Sequence, residues 1–106
     1  MMKMYSVRDQ KAEMYHMPFF ALTNGVAIRI FADLANDPNT FVGKHPNDYS
    51  LFYLGEFDDQ RAHFEIAQAP VHIGVAAEYL SAQPTVFTPE NLETLQAMNG
   101  EDNAAR

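Results

Sequence analysis

The side chains of this sequence that could do chemistry are four histidines, three serines and a set of carboxylates, and their spacing does not assemble a recognisable centre. Zinc ligands on a helix stand four residues apart, and close ligand pairs are the usual pattern elsewhere. The histidines instead fall in four separate segments, at His16, His45, His63 and His72. His63 and Glu65 could reach one ion from the same strand face, but an exposed polar face is the more ordinary interpretation.

Nucleophilic and acid–base catalysis find no better support. The serines lack the G-x-S-x-G elbow, and the chain has no cysteine. Asp58 and Asp59 are adjacent, yet they lie in a predicted turn, whereas acid–base work needs a pair held in a cleft. The sequence has no phosphate-binding loop and no dinucleotide fingerprint. We therefore predict that the protein is not an enzyme and holds no metal or cofactor.

Basic and aromatic side chains in the first half of the chain form the candidate binding site. Single-stranded DNA is bound by such surfaces, because bases stack on aromatic rings while cations follow the phosphates. Packing of the tyrosines in the core is the competing interpretation, and Phe19, Phe20, Phe52 and Phe57 are assigned to the core. The predicted nucleic-acid-binding residues are Lys3, Tyr5, Arg8, Lys11, Tyr15, Arg29 and Lys44.

The charge distribution limits where DNA could bind. Residues 1–50 are neutral overall, whereas residues 51–106 hold two basic and nine acidic side chains and so carry the whole net charge of −7. Phosphate backbones are repelled by an acidic surface, so any DNA must meet the first half. The acidic half could instead steer a basic protein partner, or simply keep the protein soluble.

Two strands and a helix are predicted to carry the candidate residues. Residues 3–8 alternate as a strand does, and residues 14–21 are predicted to pair with them as an edge or bulged strand, because Pro18 cannot donate to a ladder. A helix is predicted from Thr23 or Asn24 to about residue 35, with Val26, Ile30 and Leu34 on its apolar stripe and Ala27 and Phe31 beside them on the same stripe.

The rest of the chain continues the antiparallel pattern. Residues 38–50 are predicted as a loop, followed by strands over 50–57 and 61–67 that a turn at 58–60 joins. Residues 71–80 fit either a helix or an irregular strand. Thr88 and Pro89 are typical of a helix start, which predicts a helix over 89–98 with Leu92 and Leu95 facing the body.

This order of elements predicts the α+β class: a small antiparallel sheet of about four strands, a helix after the first hairpin and a short C-terminal helix. Residues 1–98 are predicted to be one domain and residues 99–106 a disordered acidic tail. No apolar run is long enough to span a membrane and no secretory signal is evident, so a cytosolic location is expected. An edge strand or a swapped C-terminal helix could support a homodimer.

The order and spacing of motifs over roughly residues 2 to 80 resemble the small nonstructural protein of gokushovirus-type microviruses, which are phages with single-stranded DNA genomes. The matching features are Tyr5, Val7, Asp9 and Lys11-Ala12; Pro18-Phe19-Phe20; Asn24, Ala27, Arg29 and Phe31-Ala32-Asp33; His45-Pro46 and Asp48-Tyr49; and Leu51-Phe52, Leu54-Gly55 and Phe57-Asp58.

The resemblance implies a setting and not a mechanism. It implies a protein absent from the mature capsid that works in the host cytoplasm during single-stranded DNA synthesis or packaging. Its partners would be single-stranded DNA, or viral proteins such as the replication initiator or capsid-assembly intermediates. It supplies no catalytic or binding residues that could be transferred to positions of this chain.

Overall fold

The framework of the protein is a five-stranded antiparallel sheet, seen in a computed structural model that describes residues 1–81. The strands are β1 (Met2–Asp9), β2 (Met14–Tyr15), β3 (Phe19–Ala21), β4 (Tyr49–Asp58) and β5 (His63–Val75). The helices are α1 (Asn24–Ala35) and α2 (Phe41–Lys44), and a 3₁₀ turn spans Ala76–Tyr79. The antiparallel sheet and the α+β class are thus confirmed.

One edge of the sheet is a broken strand. β2 pairs with Arg8 and Asp9, whereas β3 pairs with the residues from Lys3 to Tyr5, so both lie along the same side of β1. Between them, the N–H of His16 donates to the carbonyl of Val7 at 2.8 Å. Pro18 lies in this break, as its missing donor predicts.

The other edge is β5, which runs further than its sequence pattern indicates. Residues 71–75 continue the strand, so the helical alternative for residues 71–80 is wrong except in the turn Ala76–Tyr79. The pairing is irregular, because Tyr53 pairs with Val71 but Gly55 pairs with Ile66. A single β4 residue, Leu54, therefore lies opposite the four β5 residues 67–70. These four residues form a bulge that is larger than the usual one-residue insertion.

Helix α1 packs on one face of the sheet. The Thr23 side chain caps it by accepting from the N–H of Val26 at 3.2 Å. The buried positions of α1 are Ala27, Phe31 and Ala35, so Ala27 and Phe31 of the predicted stripe face the core, whereas Ile30 stays 39% exposed. Because the side chains of Ala27 and Ala35 are small, α1 can approach the sheet closely along the side of the helix that carries them.

The core lies between α1 and the sheet, and it includes Tyr5, Val7 and Leu51 of the sheet with Ala27 and Phe31 of the helix. The predicted loop over 38–50 contains α2, which Thr40 caps by accepting from the N–H of Gly43 at 2.9 Å.

The predicted helix over 89–98, the domain boundary at 98 and the tail 99–106 lie outside the described residues. Within residues 1–81, no helix is long and apolar enough to cross a bilayer.

Candidate nucleic-acid interface

The sheet face opposite α1, called the open face below, carries an aromatic row. Residues directly paired in an antiparallel ladder point to the same side. Arg8 pairs with Tyr15 on β2, Ser6 pairs with Phe52 on β4, and Phe52 pairs with His72 on β5. Since Ser6 and Arg8 alternate with the core residues Tyr5 and Val7, all these side chains lie on the open face.

The rings of this row touch edge to face. The Tyr15 and Phe52 ring centroids lie 5.4 Å apart, and those of Phe52 and His72 lie 5.2 Å apart. Tyr15 and His72 at the ends of the row are exposed, and Phe52 between them is half-buried. We call Tyr15, Phe52 and His72 the first aromatic row.

One cation accompanies this row. The Arg8 guanidinium carbon lies 5.3 Å from the centroid of the Tyr15 ring, which is cation–π distance. Arg8 has no ion pair with any residue in the described range 1–81. The row therefore combines flat π-surfaces with a cation that no carboxylate of residues 1–81 pairs with.

A second aromatic row crosses the open face near the β4–β5 turn. It consists of Phe20, Phe57 and Phe64, with centroid distances of 6.1 Å and 4.8 Å along the row. On β1, Phe57 pairs with Met2, four residues before Ser6, so Phe57 and Phe52 lie roughly 13 Å apart along the sheet. The surroundings of the second row are acidic, because Asp58 and Asp59 follow Phe57 directly.

Tyr5 is excluded from any binding surface, which corrects its place among the predicted residues. Its side chain is fully buried on the α1 side, where its hydroxyl donates to Asn24 Oδ1 and its ring stacks on Phe19 at 5.8 Å. Burial raises the pKa of the Tyr5 hydroxyl. Side chains alternate along β1, so Tyr5 points to the same side as Val7, two residues later. Arg8 is three residues after Tyr5, so these two candidate residues point to opposite sides of the sheet.

The other predicted cations do not converge. Lys3 lies on the α1 side, where its ammonium contacts a Glu56 carboxylate oxygen at 3.2 Å. Lys11 lies in the β1–β2 turn, Arg29 is exposed on α1, and the Lys44 ammonium lies 6.0 Å from the Phe41 ring at α2. Of the seven predicted residues, the structure brings only Arg8 and Tyr15 together.

Phe52 and His72 join this surface although the sequence pattern did not select them. Phe52 is assigned to the core by its apolar character, and His72 stands in the segment whose secondary structure the pattern leaves open. The alternation of Ser50 and Phe52 with the apolar Leu51 and Tyr53 was a usable signal, because Ser50 marks the less apolar face of β4.

A polar pocket of about 290 Å³ lies at the β1–β2 end of the sheet, on the α1 side, and is lined by Asp9, Lys11, His45, Asp48 and Tyr49. The Asp9 carboxylate accepts from the backbone N–H of Lys11 at 3.0 Å and of Ala12 at 3.2 Å, and from the Tyr49 hydroxyl at 3.3 Å.

The pKa shifts of Asp9 and Tyr49 indicate that their hydrogen bond has a structural role. The backbone hydrogen bonds, that from Ala12 first, hold the pKa of Asp9 below its ordinary value. Burial, and then the Asp9 charge, raise the pKa of Tyr49. Asp9 therefore stays ionised and Tyr49 protonated at neutral pH, so neither is poised to exchange a proton. No cluster of three metal-ligating side chains occurs in the described part of the chain.

Comparison with known proteins identifies a family. The model of the family described as "Phage ORF5 protein" matches residues 2–79. No curated protein and no solved structure matches the chain.

Proposed function

The chain belongs to the Phage ORF5 protein family, and we propose that it is a nonstructural phage protein that binds single-stranded DNA during genome synthesis or packaging, without catalysis. The observation that supports this proposal is the first aromatic row with Arg8 beside it on the open face. The placement among gokushovirus-type microviruses and the location in the host cytoplasm rest on the sequence resemblance and belong to the proposal.

The geometry suits unpaired bases. An antiparallel sheet that presents aromatic rings on an open face can stack successive bases, as several single-strand-binding folds do. The exposed rings of Tyr15 and His72 would each receive a base, and Arg8 would contact a phosphate between them. Base pairs of a duplex keep their faces stacked on one another, so duplex DNA would gain little from this surface.

The charge of the open face predicts that the affinity for single-stranded DNA depends only modestly on salt concentration. For single strands, each neutralised phosphate contributes about −0.7 to the slope of log affinity against log salt. Because Arg8 is the basic residue that the strands within residues 1–81 place on the open face, stacking rather than ion pairing would carry most of the affinity.

Fluorescence anisotropy with labelled single- and double-stranded oligonucleotides tests the proposal at low and near-physiological salt. We expect saturable binding that prefers single strands. Arg8→Ala should reduce the magnitude of the salt slope by about 0.7, whereas the matched control Lys44→Ala, away from the open face, should leave it unchanged. Flat titrations at high protein concentration, or equal effects of the two variants, would refute the assignment of this surface.

A second candidate is a protein-interaction module that docks on the replication initiator or on capsid-assembly intermediates. It is favoured by the β4–β5 hairpin, where Phe64 is 52% and Ile66 63% exposed and where Glu56 pairs directly with Glu65. Two ion pairs, Lys3 with Glu56 and Arg61 with Asp58, partly neutralise the acidic charge of this hairpin. We therefore rank the protein-interaction function second. A pull-down from infected cells that recovers no viral protein would count against it.

A further inference from the structure

An apolar groove lies on the α1 side of the molecule, away from the open face. Its floor and walls come from β1, the broken edge segment, α1 and α2, and its volume is about 200 Å³. Ile30 is 39% exposed at its wall and Met17 is 85% exposed at its rim. Its apolar lining residues are Val7, Met17, Phe19, Ile30, Leu34 and Val42.

The size of the groove indicates what kind of occupant it can take. Sites for small molecules enclose about 300–1,000 Å³ and combine apolar walls with a few convergent polar groups. This groove is smaller, and His16 is the single polar residue in its lining. A volume of this kind suits one or two apolar side chains, which is how an amphipathic helix anchors in a groove.

The described part of the chain ends close to the helix that forms the groove wall. The backbone N–H of Ser81 donates to Asn36 Oδ1 at 2.8 Å, and Asn36 Nδ2 donates to the carbonyl of Tyr79 at 3.0 Å. Asn36 is the C-terminal cap of α1. The remaining residues 82–106 therefore start at the end of the same helix that contributes Ile30 and Leu34.

The sequence after Ser81 has the features that the groove requires. Thr88 and Pro89 predict a helix start, and Leu92 and Leu95 stand at i,i+3 on one side of it. Residues 82–87 can span roughly 20 Å when extended, more than the ~10–12 Å diameter of a helix. The chain is thus long enough to pass around α1 from Ser81 to the groove.

We propose that residues 89–98 of the same chain occupy this groove, with Leu92 and Leu95 as the anchors beside Ile30 and Leu34. The groove would then belong to the fold of the full chain and would not be a site for an external ligand. This inference does not depend on DNA binding, because the groove and the open face lie on opposite sides of the sheet.

Disulfide trapping in the full chain tests the proposal, since the protein has no cysteine of its own. Ile30→Cys combined with Leu95→Cys should form an intramolecular disulfide under mild oxidation, at a yield independent of protein concentration. The matched control is Ile66→Cys with Leu95→Cys, because Ile66 is exposed on the open face, and it should remain reduced. Equal trapping of both pairs would overturn the proposal, and so would disulfide-linked dimers that increase with concentration, which would identify a second copy as the occupant.

Methyl NMR on a second full-length variant gives an independent readout. Leu92→Asp with Leu95→Asp should shift the methyl signals of Ile30, Leu34 and Val42 and leave that of Val71, an exposed residue on β5, in place. Unchanged signals at all three groove methyls would refute the docking of this segment.

Discussion

Replacing Tyr15 with alanine tests the stacking role of the open face most directly. Tyr15 ends the first aromatic row, is 40% exposed and belongs to the two-residue strand β2 at the sheet edge. Its ring contacts Phe52 edge to face and carries the Arg8 guanidinium above it. The substitution therefore removes one exposed ring and leaves the core between α1 and the sheet intact.

The expected magnitude follows from the geometry. One ring at the end of a row stacks one base, and a stacked base contributes about 1–3 kcal/mol. Since 1.4 kcal/mol corresponds to a tenfold change in affinity, Tyr15→Ala should weaken single-strand binding by roughly 5- to 150-fold. The loss of the aromatic contact with Phe52 should cost folding stability only about 0.5–1.5 kcal/mol.

Met14→Ala is the matched control, because Met14 neighbours Tyr15 on β2 and is also exposed but pairs with Asp9, whose side chain points to the α1 side. Anisotropy titrations of both variants with one labelled oligonucleotide, alongside urea unfolding, give the comparison. A Tyr15→Ala affinity within twofold of the Met14→Ala affinity would refute stacking on this row. A parallel loss in both variants would trace the effect to the edge strand and not to the ring.

Two further predictions concern the fold. Gly55 has φ of +147°, and a Cβ there would collide with the Glu65 carbonyl oxygen. Gly55→Ala should therefore lower the free energy of unfolding by about 1–3 kcal/mol. A urea unfolding midpoint equal to that of the wild type would contradict this. The lowered pKa of Asp9 means that its contribution to stability is complete above about pH 4 and is lost as the pH falls through the folded-state pKa. Asp9→Asn should therefore flatten the acid limb of the stability curve, and an acid limb as steep as that of the wild type would show that other carboxylates produce it.

Much of the local structure is readable from the sequence because it depends on near neighbours. Thr23 marks the start of α1 through a hydrogen bond to a backbone group three residues away. Pro18 marks the broken edge strand because proline has no backbone donor. The same local reasoning misses α2, a single short turn of helix between Pro38 and Pro46.

The composition of the candidate site is readable only in part. Tyr15 and Arg8 are both among the residues predicted by type, and the contact between them needs only the β1–β2 pairing. Lys3 and Lys44 have the right charge for a DNA site but lie on other surfaces, because charge alone carries no information about which face a side chain occupies.

What the sequence by itself determined is the class of the protein, alternating strands around an amphipathic helix, and the concentration of acidic charge in the second half. Only the tertiary structure decided which aromatic rings share a face. Phe52 and Phe57 are five residues apart, an odd spacing that strict alternation would put on opposite faces. The bulge at Leu54 adds one residue to β4 and brings both rings to the open face. A bulge arises from the pairing of distant strands, so no local pattern in the sequence predicts the change of face that it produces.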